Sequence, residues 1–322
     1  MPRFDVTVAG ELNLDLILYG LPAELPRERE LLAKSMMLTL GSSSAILAHN
    51  LAALGSRVGF QSRIGTDELG EIALKRLSAS GADTSFVRRS ENSNTGLTVI
   101  LQHDPWRNIL TYSGTISELT LADLDLEYLS NSRHFHLSSF YLQSNLRHDV
   151  PELFRRLKAA GLTTSLDTND DPEDRWEDDL RDVLRYVDVL MPNEREACKI
   201  AHSENLEHAI AILSGMVPTL VVKLGTKGAI AKQGAKELHS AAVAVAFVDP
   251  VGAGDSFDAG FLHEYVQGAD LWNCLEFGNL VGALSTTRTG GTEAFRDADY
   301  RKNFFREHTR DSSSANKNAG AH

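Results

Sequence analysis

The chain has 322 residues, of which 44 are acidic and 32 basic, so its formal net charge is −12. This balance argues against nucleic acid or an anionic membrane surface as a partner, because both would repel the protein. The length suits one large or two modest domains with a substantial core. Cys198 and Cys274 lack metal-ligand spacing, so we expect no zinc site or disulfide framework, and a reducing cytoplasm fits. No apolar run approaches the roughly 18 residues of a membrane span.

The first predicted strand, Phe4 to Ala9, is followed by Asn13 and Asp15. Open α/β sheets bind ligands at the carboxyl ends of their strands, so these two side chains are candidates to hold ligand hydroxyls. Alternatively, both residues only shape a turn. The sequence alone leaves both interpretations open.

Residues 16–40 contain two prolines and a charged run, which predicts an excursion from the main sheet. The segment Gly41 to Ser44 then opens a helix whose apolar residues repeat at helical spacing as far as Gly55. Its serines could cap the helix or face a ligand. A strand at 57–63 and a helix ending near Gly81 begin a β-α alternation.

Two strand-like runs, Thr95 to Gln102 and Asn108 to Tyr112, predict a hairpin inserted into this alternation. The alternation then resumes and predicts a parallel sheet with crossover helices. The expected strands are 134–138, 163–167 and 187–191, and the expected helices lie at about 146–160 and 176–185. His134 and His136 share one strand face without a third ligand nearby, which favours a structural role over metal binding.

The next helix places Asn193 and Glu196 near its positive amino-terminal end. Anions and hydrated metal ions collect at such ends. The pattern equally fits an asparagine cap with an acidic residue three positions later, which stabilises a helix without any ligand.

A strand from Thr219 to Lys223 leads into a glycine-spaced turn, Leu224 to Gly228, which could pass over the phosphates of a nucleotide. Lys223 or Lys227 would then supply charge, although each could equally be a solvated surface residue. A largely apolar helix is predicted at Leu271 to Thr287. The turn Arg288 to Thr292 after it could close over a site.

The most informative stretch is Val248 to Phe261, a glycine turn between a predicted strand, Ala241 to Phe247, and a helix predicted to end near Gln267. Glycines on both sides of Ala253 let the backbone approach a ligand, and the first helical amides point outward unpaired. This pattern predicts an anion hole. Asp255 in the same turn could take a proton from an attacking hydroxyl, or it could only cap the helix and match its dipole.

Together, these motifs resemble the ribokinase-like family of carbohydrate kinases, also called the phosphofructokinase-B type, over about residues 4–300. The most specific match is Asp249-Pro250-Val251-Gly252-Ala253-Gly254-Asp255, which is similar to the family's Asp-Thr-x-Gly-Ala-Gly-Asp. The resemblance implies an α/β fold with a central, mostly parallel sheet flanked by helices. A small β-sheet lid would be formed by residues 16–40 and 95–113. The kinase domain would span 1–305, followed by a disordered tail at 306–322.

The resemblance also implies functional residues. The general base would be Asp255, and the anion hole would be formed by the amides of Gly252, Ala253 and Gly254. ATP and Mg²⁺ would be bound by Asn193, Glu196 (indirectly, to Mg²⁺), Lys223, Gly225, Gly228 and Asn279. The sugar would be held by Asn13, Asp15, Gly41 and Ser42. A monovalent cation, K⁺, would be bound by Asp249, Val251, Ser285, Arg288 and Gly290.

Two positions depart from the family pattern. Pro250 replaces the signature threonine, but the glycines and the aspartate remain, so catalysis should survive. Ile46 stands where the family's substrate loop usually has a sugar-binding asparagine. An alkyl group cannot pair with a hydroxyl, so we expect poor activity on ribose and fructose. The alternative is that Ile46 packs in the core and Ser43 or Ser44 makes the contact.

The resemblance therefore implies an ATP-dependent kinase that phosphorylates a primary hydroxyl of a sugar or sugar-like molecule. We expect it to be a cytoplasmic homodimer paired through the lid, because open strand edges favour pairing. A nucleoside kinase of the same fold is the nearest alternative and would need a base pocket, for which Trp106 or Phe140 are candidates. A catalytically silent sugar or nucleotide sensor is the alternative from another class, and the intact Gly-Ala-Gly-Asp argues against it.

Overall fold

The computed structural model describes residues 2–103, 106–176 and 179–315. The strands are β1 (Phe4–Ala9), β2 (Leu14–Tyr19), β3 (Ser35–Leu40), β4 (Val58–Gly65), β5 (Asp83–Ser90), β6 (Leu97–His103), β7 (Trp106–Tyr112), β8 (Ser132–Ser138), β9 (Thr163–Asp167), β10 (Val189–Leu190), β11 (Thr219–Lys223), β12 (Ala229–Gln233) and β13 (Lys236–Ser240). The helices are α1 (Ser43–Ala53), α2 (Glu68–Ser78), α3 (Leu126–Ser130), α4 (Ser144–Arg147), α5 (Val150–Ala159), α6 (Leu180–Leu184), α7 (Glu194–Ile200), α8 (Leu206–Leu213), α9 (Ala253–Tyr265), α10 (Leu271–Ser285), α11 (Glu293–Arg296) and α12 (Ala298–Ala315).

The larger sheet has the strand order β13-β12-β11-β10-β9-β8-β1-β4-β5. Every neighbouring pair from β11 to β5 is parallel, whereas β12 and β13 form an antiparallel edge. The predicted mostly parallel sheet is therefore confirmed. Because parallel strands run in the same direction, their carboxyl ends lie at one edge of the sheet. The loops that follow these strands therefore lie together at that edge.

The large sheet is covered on both faces, as β8 shows. Phe135 and Leu137 pack into the apolar layer of α3, α5, α6 and α8. His134 and His136 point to the opposite face, where the ring of His134 contacts Tyr265 of α9. All four imidazole nitrogens have hydroxyl partners at 2.7–2.8 Å, namely Thr163, Ser165 and Ser138. Hydrogen bonding of this kind makes the burial of two polar rings tolerable.

The predicted lid is a separate four-stranded sheet in the order β3-β2-β6-β7. The central pair β2 and β6 is parallel, and the outer pairs are antiparallel. Its inner face packs on the glycine turn, because Ile17 and Ile100 contact Val251. The outer face is apolar and exposed at Met36, Trp106, Leu110 and Tyr112.

Two predictions about chain segments need correction. Residues 241–247 form no strand, because β13 ends at the sheet edge and the chain then leaves the ladder. Their alternation arises because Val243 and Val245 pack beside α10, whereas Phe247 is 65% exposed. Residues 306–315, expected to belong to a disordered tail, are part of helix α12, which ends at Ala315. The remaining tail, 316–322, lies outside the described residues.

Within the described ranges, none of the helices combines the length and apolar composition needed to cross a membrane.

Candidate active site

The glycine turn ends in a helix start that carries no side-chain cap. Gly252 is the N-cap of α9 in the left-handed conformation, with φ 72°. A Cβ there would lie 2.6 Å from the Cα of Gly291, so the close contact between two turns requires glycine. A Cβ on Gly254 would meet nothing nearer than Lys223 Nζ at 3.6 Å. The backbone at Gly254 is therefore open to a ligand, whereas the amide of Ala253 already donates to Pro250 O at 3.2 Å.

Asp255 lies in the first turn of α9 and is buried. Burial, followed by the nearby charge of Asp167, raises the pKa of Asp255 to about 6, although Lys223 and the Ser43 hydroxyl act in the opposite direction. A carboxylate with this pKa is mostly ionised at neutral pH and still basic enough to take up a proton.

A buried charge cluster lies beside Asp255. The Nζ of Lys223 is 2.6 Å from Asp167 Oδ2 and 3.0 Å from Asp258 Oδ2, and both carboxylates are 1% exposed. Burial alone lowers the pKa of Lys223, but the two carboxylates together raise it above its usual value, so the ammonium stays charged. Lys223 is thus the buried centre of a triad rather than a solvated lysine.

Asp167 and Asp258 were not identified by the sequence analysis. Asp167 ends β9 and is therefore at the same sheet edge as Asn13 and Asp15. Applying the carboxyl-end rule to every strand would have found it. Asp258 is one helical turn after Asp255 on α9, so helical spacing could have indicated it.

Asn193 and Glu196 form a complete capping box at the start of α7. Asn193 Oδ1 accepts from the Glu196 amide, and Glu196 Oε2 accepts from the Asn193 amide, both at 2.9 Å. Asn193 Nδ2 also donates to Glu196 Oε1 at 2.6 Å. Burial, followed by Asp167, raises the pKa of Glu196 to about 7. The cap therefore belongs to the same acidic cluster at the sheet edge.

Three of the predicted sugar-binding residues lie together at the base of the lid, where Asp15 is part of β2. Asn13 and Asp15 are 2% and 6% exposed, and a Cβ on Gly41 would lie 2.0 Å from Asp15 Oδ1. Burial, followed by Asp255 and Asp249, raises the pKa of Asp15 to about 7.

The side chain of Ser42, a predicted sugar ligand, caps helix α1. It is the N-cap of α1 with φ 71°, its hydroxyl accepts from the Ala45 amide at 3.0 Å, and it donates to Glu11 O at 2.6 Å. These bonds occupy the hydroxyl, so capping accounts for Ser42 without a ligand. Glu11, which the sequence analysis missed, is buried and accepts from the hydroxyls of Ser44 at 2.7 Å and Ser139 at 2.8 Å.

Ile46 packs against the glycine turn in the structure. It is 2% exposed, and its side-chain atoms lie 2.8–3.3 Å from the Cβ positions of Gly252 and Gly291. Ile46 thus packs beneath the two turns, while Ser43 reaches Asp255. The geometry favours the packing alternative, whereas poor activity on ribose and fructose stays a prediction.

The predicted nucleotide loop follows β11. Gly225 and Gly228 have φ of 59° and 95°, and a Cβ on Gly228 would lie 2.0 Å from Ser240 O. Asn279 of α10 donates to the same carbonyl at 3.1 Å, so it lies beside the loop. Lys227 is a surface residue, 70% exposed and 3.5 Å from Glu194.

Asp249 organises the turn beside the anion hole. Its Oδ1 accepts from the Val251 amide at 3.0 Å, and its Oδ2 accepts from the Gly290 amide at 2.9 Å and from the Tyr19 hydroxyl at 2.6 Å. The Arg288 guanidinium lies over Tyr300 and binds Asp297. Of the predicted cation ligands, Ser285 has a buried Oγ without a hydrogen-bond partner among the described residues.

A mostly parallel sheet, a β lid and a buried aspartate at an open glycine turn together define an α/β kinase for small molecules. Residues 3–298 match the family described as pfkB family carbohydrate kinase. The chain belongs to this family.

Similar proteins include the 2-dehydro-3-deoxygluconokinase of Bacillus subtilis, 29% identical over 78% of this chain and 82% of that protein. The ATP-dependent ribose-1-phosphate kinase of Halopiger xanaduensis is 29% identical over 90% of this chain and 94% of that protein. An E. coli protein provisionally called ribokinase II, solved in complex with ATP and Mg²⁺, has a TM-score of 0.82 at 26% identity and covers 95% of this chain and 100% of its own.

Proposed function

We propose that this protein transfers the γ-phosphoryl group of ATP to a primary hydroxyl of a sugar or sugar-like acceptor, with Asp255 as the general base. The observation that carries the proposal is the buried Asp255 carboxylate at the uncapped start of α9. A pKa of about 6 leaves this carboxylate ionised at neutral pH and able to accept the hydroxyl proton as the new bond to phosphorus forms. The relatives named as kinases support the reaction class.

The negative charge on the transferred phosphoryl group would be stabilised by the open backbone at Gly254 and by Lys223. The Lys223 ammonium uses two N–H groups on Asp167 and Asp258, and it lies 3.6 Å from the position of a Cβ on Gly254. In this proposal, its third N–H is available to an oxygen of the transferred group. Preorganised donors of this kind stabilise charge that develops in the transition state.

The acceptor would lie between the lid and Asp255, against Asn13 and Asp15. Asp15 has a pKa raised to about 7, so it can accept from or donate to a sugar hydroxyl near neutral pH. The tight approach of Gly41 to Asp15 holds the carboxylate in place. Ser42 is left out of this set because it caps α1.

ATP would lie along the loop that contains Gly225 and Gly228, with Asn279 at its border. Mg²⁺ fits beside Glu196, because a buried carboxylate among other acidic groups is a suitable oxygen ligand. Both Glu196 oxygens already bind Asn193, which favours contact through water. When bound, the ion would neutralise phosphate charge.

The monovalent cation fits less well. Both Asp249 oxygens are engaged by three donors, and the Arg288 side chain is directed to Asp297 and Tyr300. A K⁺ ion beside the anion hole would therefore be held mainly through the backbone oxygens of Val251, Arg288 and Gly290.

The nucleoside alternative has weaker support. Phe140 is fully buried in the core against Tyr141, and Trp106 is 70% exposed on the outer face of the lid. Neither ring faces the pocket that a base would need. The sensor alternative is opposed by the buried Asp255 and the open glycine turn.

We also propose that two chains pair through their lids in the cytoplasm. The outer lid face exposes Met36, Trp106, Leu110 and Tyr112 by 54–70%, and apolar faces of this kind are usually covered by a partner. The free thiols Cys198 and Cys274 suit a reducing compartment. A monomer throughout the micromolar range in sedimentation would contradict the dimer.

The deciding experiment measures ADP release by the full chain with ATP and Mg²⁺ against a panel of sugars, sugar acids, sugar phosphates and nucleosides. Turnover with a sugar-like acceptor is expected. Turnover restricted to nucleosides would support the alternative kinase, and ligand-induced stabilisation without turnover would support the sensor.

A further inference from the structure

One face of α1 lies against the start of α9. Ser43, Ile46 and Asn50 are three and four residues apart, so they share this face. Ser43 reaches Asp255, and Ile46 packs beneath the two glycine turns. Asn50 completes the stripe and is fully buried, although helical spacing from Ile46 would predict an apolar residue there. A buried amide at this place needs hydrogen-bond partners.

Both amide hydrogens and the oxygen of the Asn50 side chain have such partners. Nδ2 donates to Ser256 Oγ at 2.9 Å and to Gly291 O at 3.0 Å. Oδ1 accepts from Nδ1 of His49 at 2.9 Å. Burial lowers the pKa of His49 to about 4, so the ring is neutral and Nδ1 carries its single hydrogen. Gly291 in turn lies against Gly252, where a Cβ would come within 2.6 Å of its Cα.

Ser256 connects Asn50 to the glycine turn itself. The Ser256 hydroxyl donates to Gly252 O at 2.6 Å, and the Ser256 amide donates to the same oxygen at 2.9 Å. This carbonyl belongs to the planar peptide group that carries the N–H of Ala253. Holding this group in place constrains the next peptide group, which carries the N–H of Gly254.

We propose that Asn50 is a positioning residue for phosphoryl transfer, which holds both glycine turns in the shape that presents the Gly254 backbone to the transferred group. Asn50 acts through Ser256 and Gly291 and touches no reacting atom. The inference rests on the proposed kinase function and adds to it a residue outside the glycine turn. Because a displacement of about 1 Å can cost about 100-fold in rate, loss of Asn50 should affect kcat more than ATP binding.

The kinetic test compares Asn50→Ala with Gln61→Ala in the full chain, below the Tm of both variants. Gln61 is a matched control, because its buried side-chain amide binds the backbone of Asp125 twice at 2.9 Å, at the start of α3 on the opposite face of the sheet. Both variants should lower Tm by about 5 °C. Only Asn50→Ala should lose about 10- to 100-fold in kcat, with the KM for ATP within about 3-fold. Equal rate losses in the two variants would overturn the proposal.

Ser256→Ala removes one hydrogen bond of the same network and is the smaller change if Asn50→Ala does not fold. It should lose about 3- to 10-fold in kcat. The double variant of Asn50 and Ser256 should lose less than the product of the two single losses, because both residues act on the same peptide group. Losses that multiply fully would overturn the connection through Ser256.

Hydrogen exchange tests the positioning role without an acceptor. Mass spectrometry of the wild type and the three single variants would follow amide exchange in peptides covering 249–257 and 288–292. Exchange there should be roughly 10-fold faster in Asn50→Ala and faster in Ser256→Ala, but unchanged in Gln61→Ala. Unchanged exchange in Asn50→Ala would overturn the positioning role alone. A wild type that turns over no acceptor would instead overturn the proposed function, and with it the catalytic role of Asn50.

Discussion

Two helices begin next to Lys223, and they differ in whether side chains cap the backbone amides of the first turn. At α7, Asn193 pairs with Lys223 as an isolated bridge, and the capping box uses both side chains of the motif on the helix's own amides. At α9, Gly252 provides no side chain, and the backbone at Gly254 faces Lys223 with no closer neighbour. Both starts have the positive dipole end that attracts anions.

The difference shows that an anion-binding helix start needs unsatisfied amides as well as a dipole. A capping residue removes donors that a phosphate would otherwise use. The capped start of α7 instead presents a carboxylate, Glu196, which suits a hydrated cation. The open start of α9 suits the transferred phosphoryl group. The proposed division between metal and phosphate follows from this contrast.

The largest expected effect is that of Asp255→Asn. Asparagine preserves shape and can match a helix start, but it cannot accept the proton, so kcat should fall by roughly 10²-fold or more while ATP still binds. Asp270→Asn is the matched control, because Asp270 caps α10 through the Asn273 amide at 2.9 Å. Similar, near wild-type rates for both variants would show that Asp255 also acts only at the helix start.

Gly254→Ala should be the next most damaging change to turnover. Its methyl group would meet the Lys223 side chain at 3.6 Å or more, so the fold should persist, but the methyl group would occupy the space proposed for a phosphoryl oxygen. We expect a loss of about 10- to 100-fold in kcat/KM with little change in Tm. Gly252→Ala is the contrasting variant and should lower Tm, because its Cβ would collide with Gly291. A fully active Gly254→Ala enzyme would remove the anion hole from this position.

A smaller effect is expected in the pH dependence of kcat/KM. Because the base must be ionised and the pKa of Asp255 is raised to about 6, kcat/KM should fall as pH drops through about 6, by roughly 10-fold at pH 5. Ser43→Ala should move this fall to higher pH, since the Ser43 hydroxyl lowers the pKa of Asp255. Tm values over the same range separate titration from unfolding. A rate that stays constant down to pH 5 would contradict the assignment.

Asn193→Ala should have the smallest effect on the chemical step. Loss of the cap should cost about 1 kcal/mol of unfolding free energy. It should also raise the Mg²⁺ concentration required for half-maximal rate, because Glu196 loses its partner, while kcat at saturating Mg²⁺ stays within about 3-fold. Asn205→Ala, at the N-cap of α8, controls for cap loss alone. A large fall in kcat for Asn193→Ala only would place α7 in the chemical step itself.

Local patterns in the sequence determined much of this architecture. The β-α alternation, the lid excursions, the capping box at Asn193 and the glycine turn before Asp255 all depend on residues within a few positions of one another. Helical and strand periodicity and caps are short-range effects, which is why a single sequence displays them. A local pattern also gave the wrong prediction of a strand at 241–247. The alternation of apolar residues there reflects packing on α10 and not pairing with another strand.

Tertiary structure alone decided which side chains meet at the site. Lys223 joins Asp167 and Asp258 across 56 and 35 residues, and Tyr19 reaches Asp249 across 230. Ile46 has the helical spacing of a pocket residue or a core residue, and only its contact with the turns at Gly252 and Gly291 assigns it to packing. These contacts depend on strand order and on how the lid folds back. Both result from burying the apolar surface of the whole chain, which no local pattern encodes.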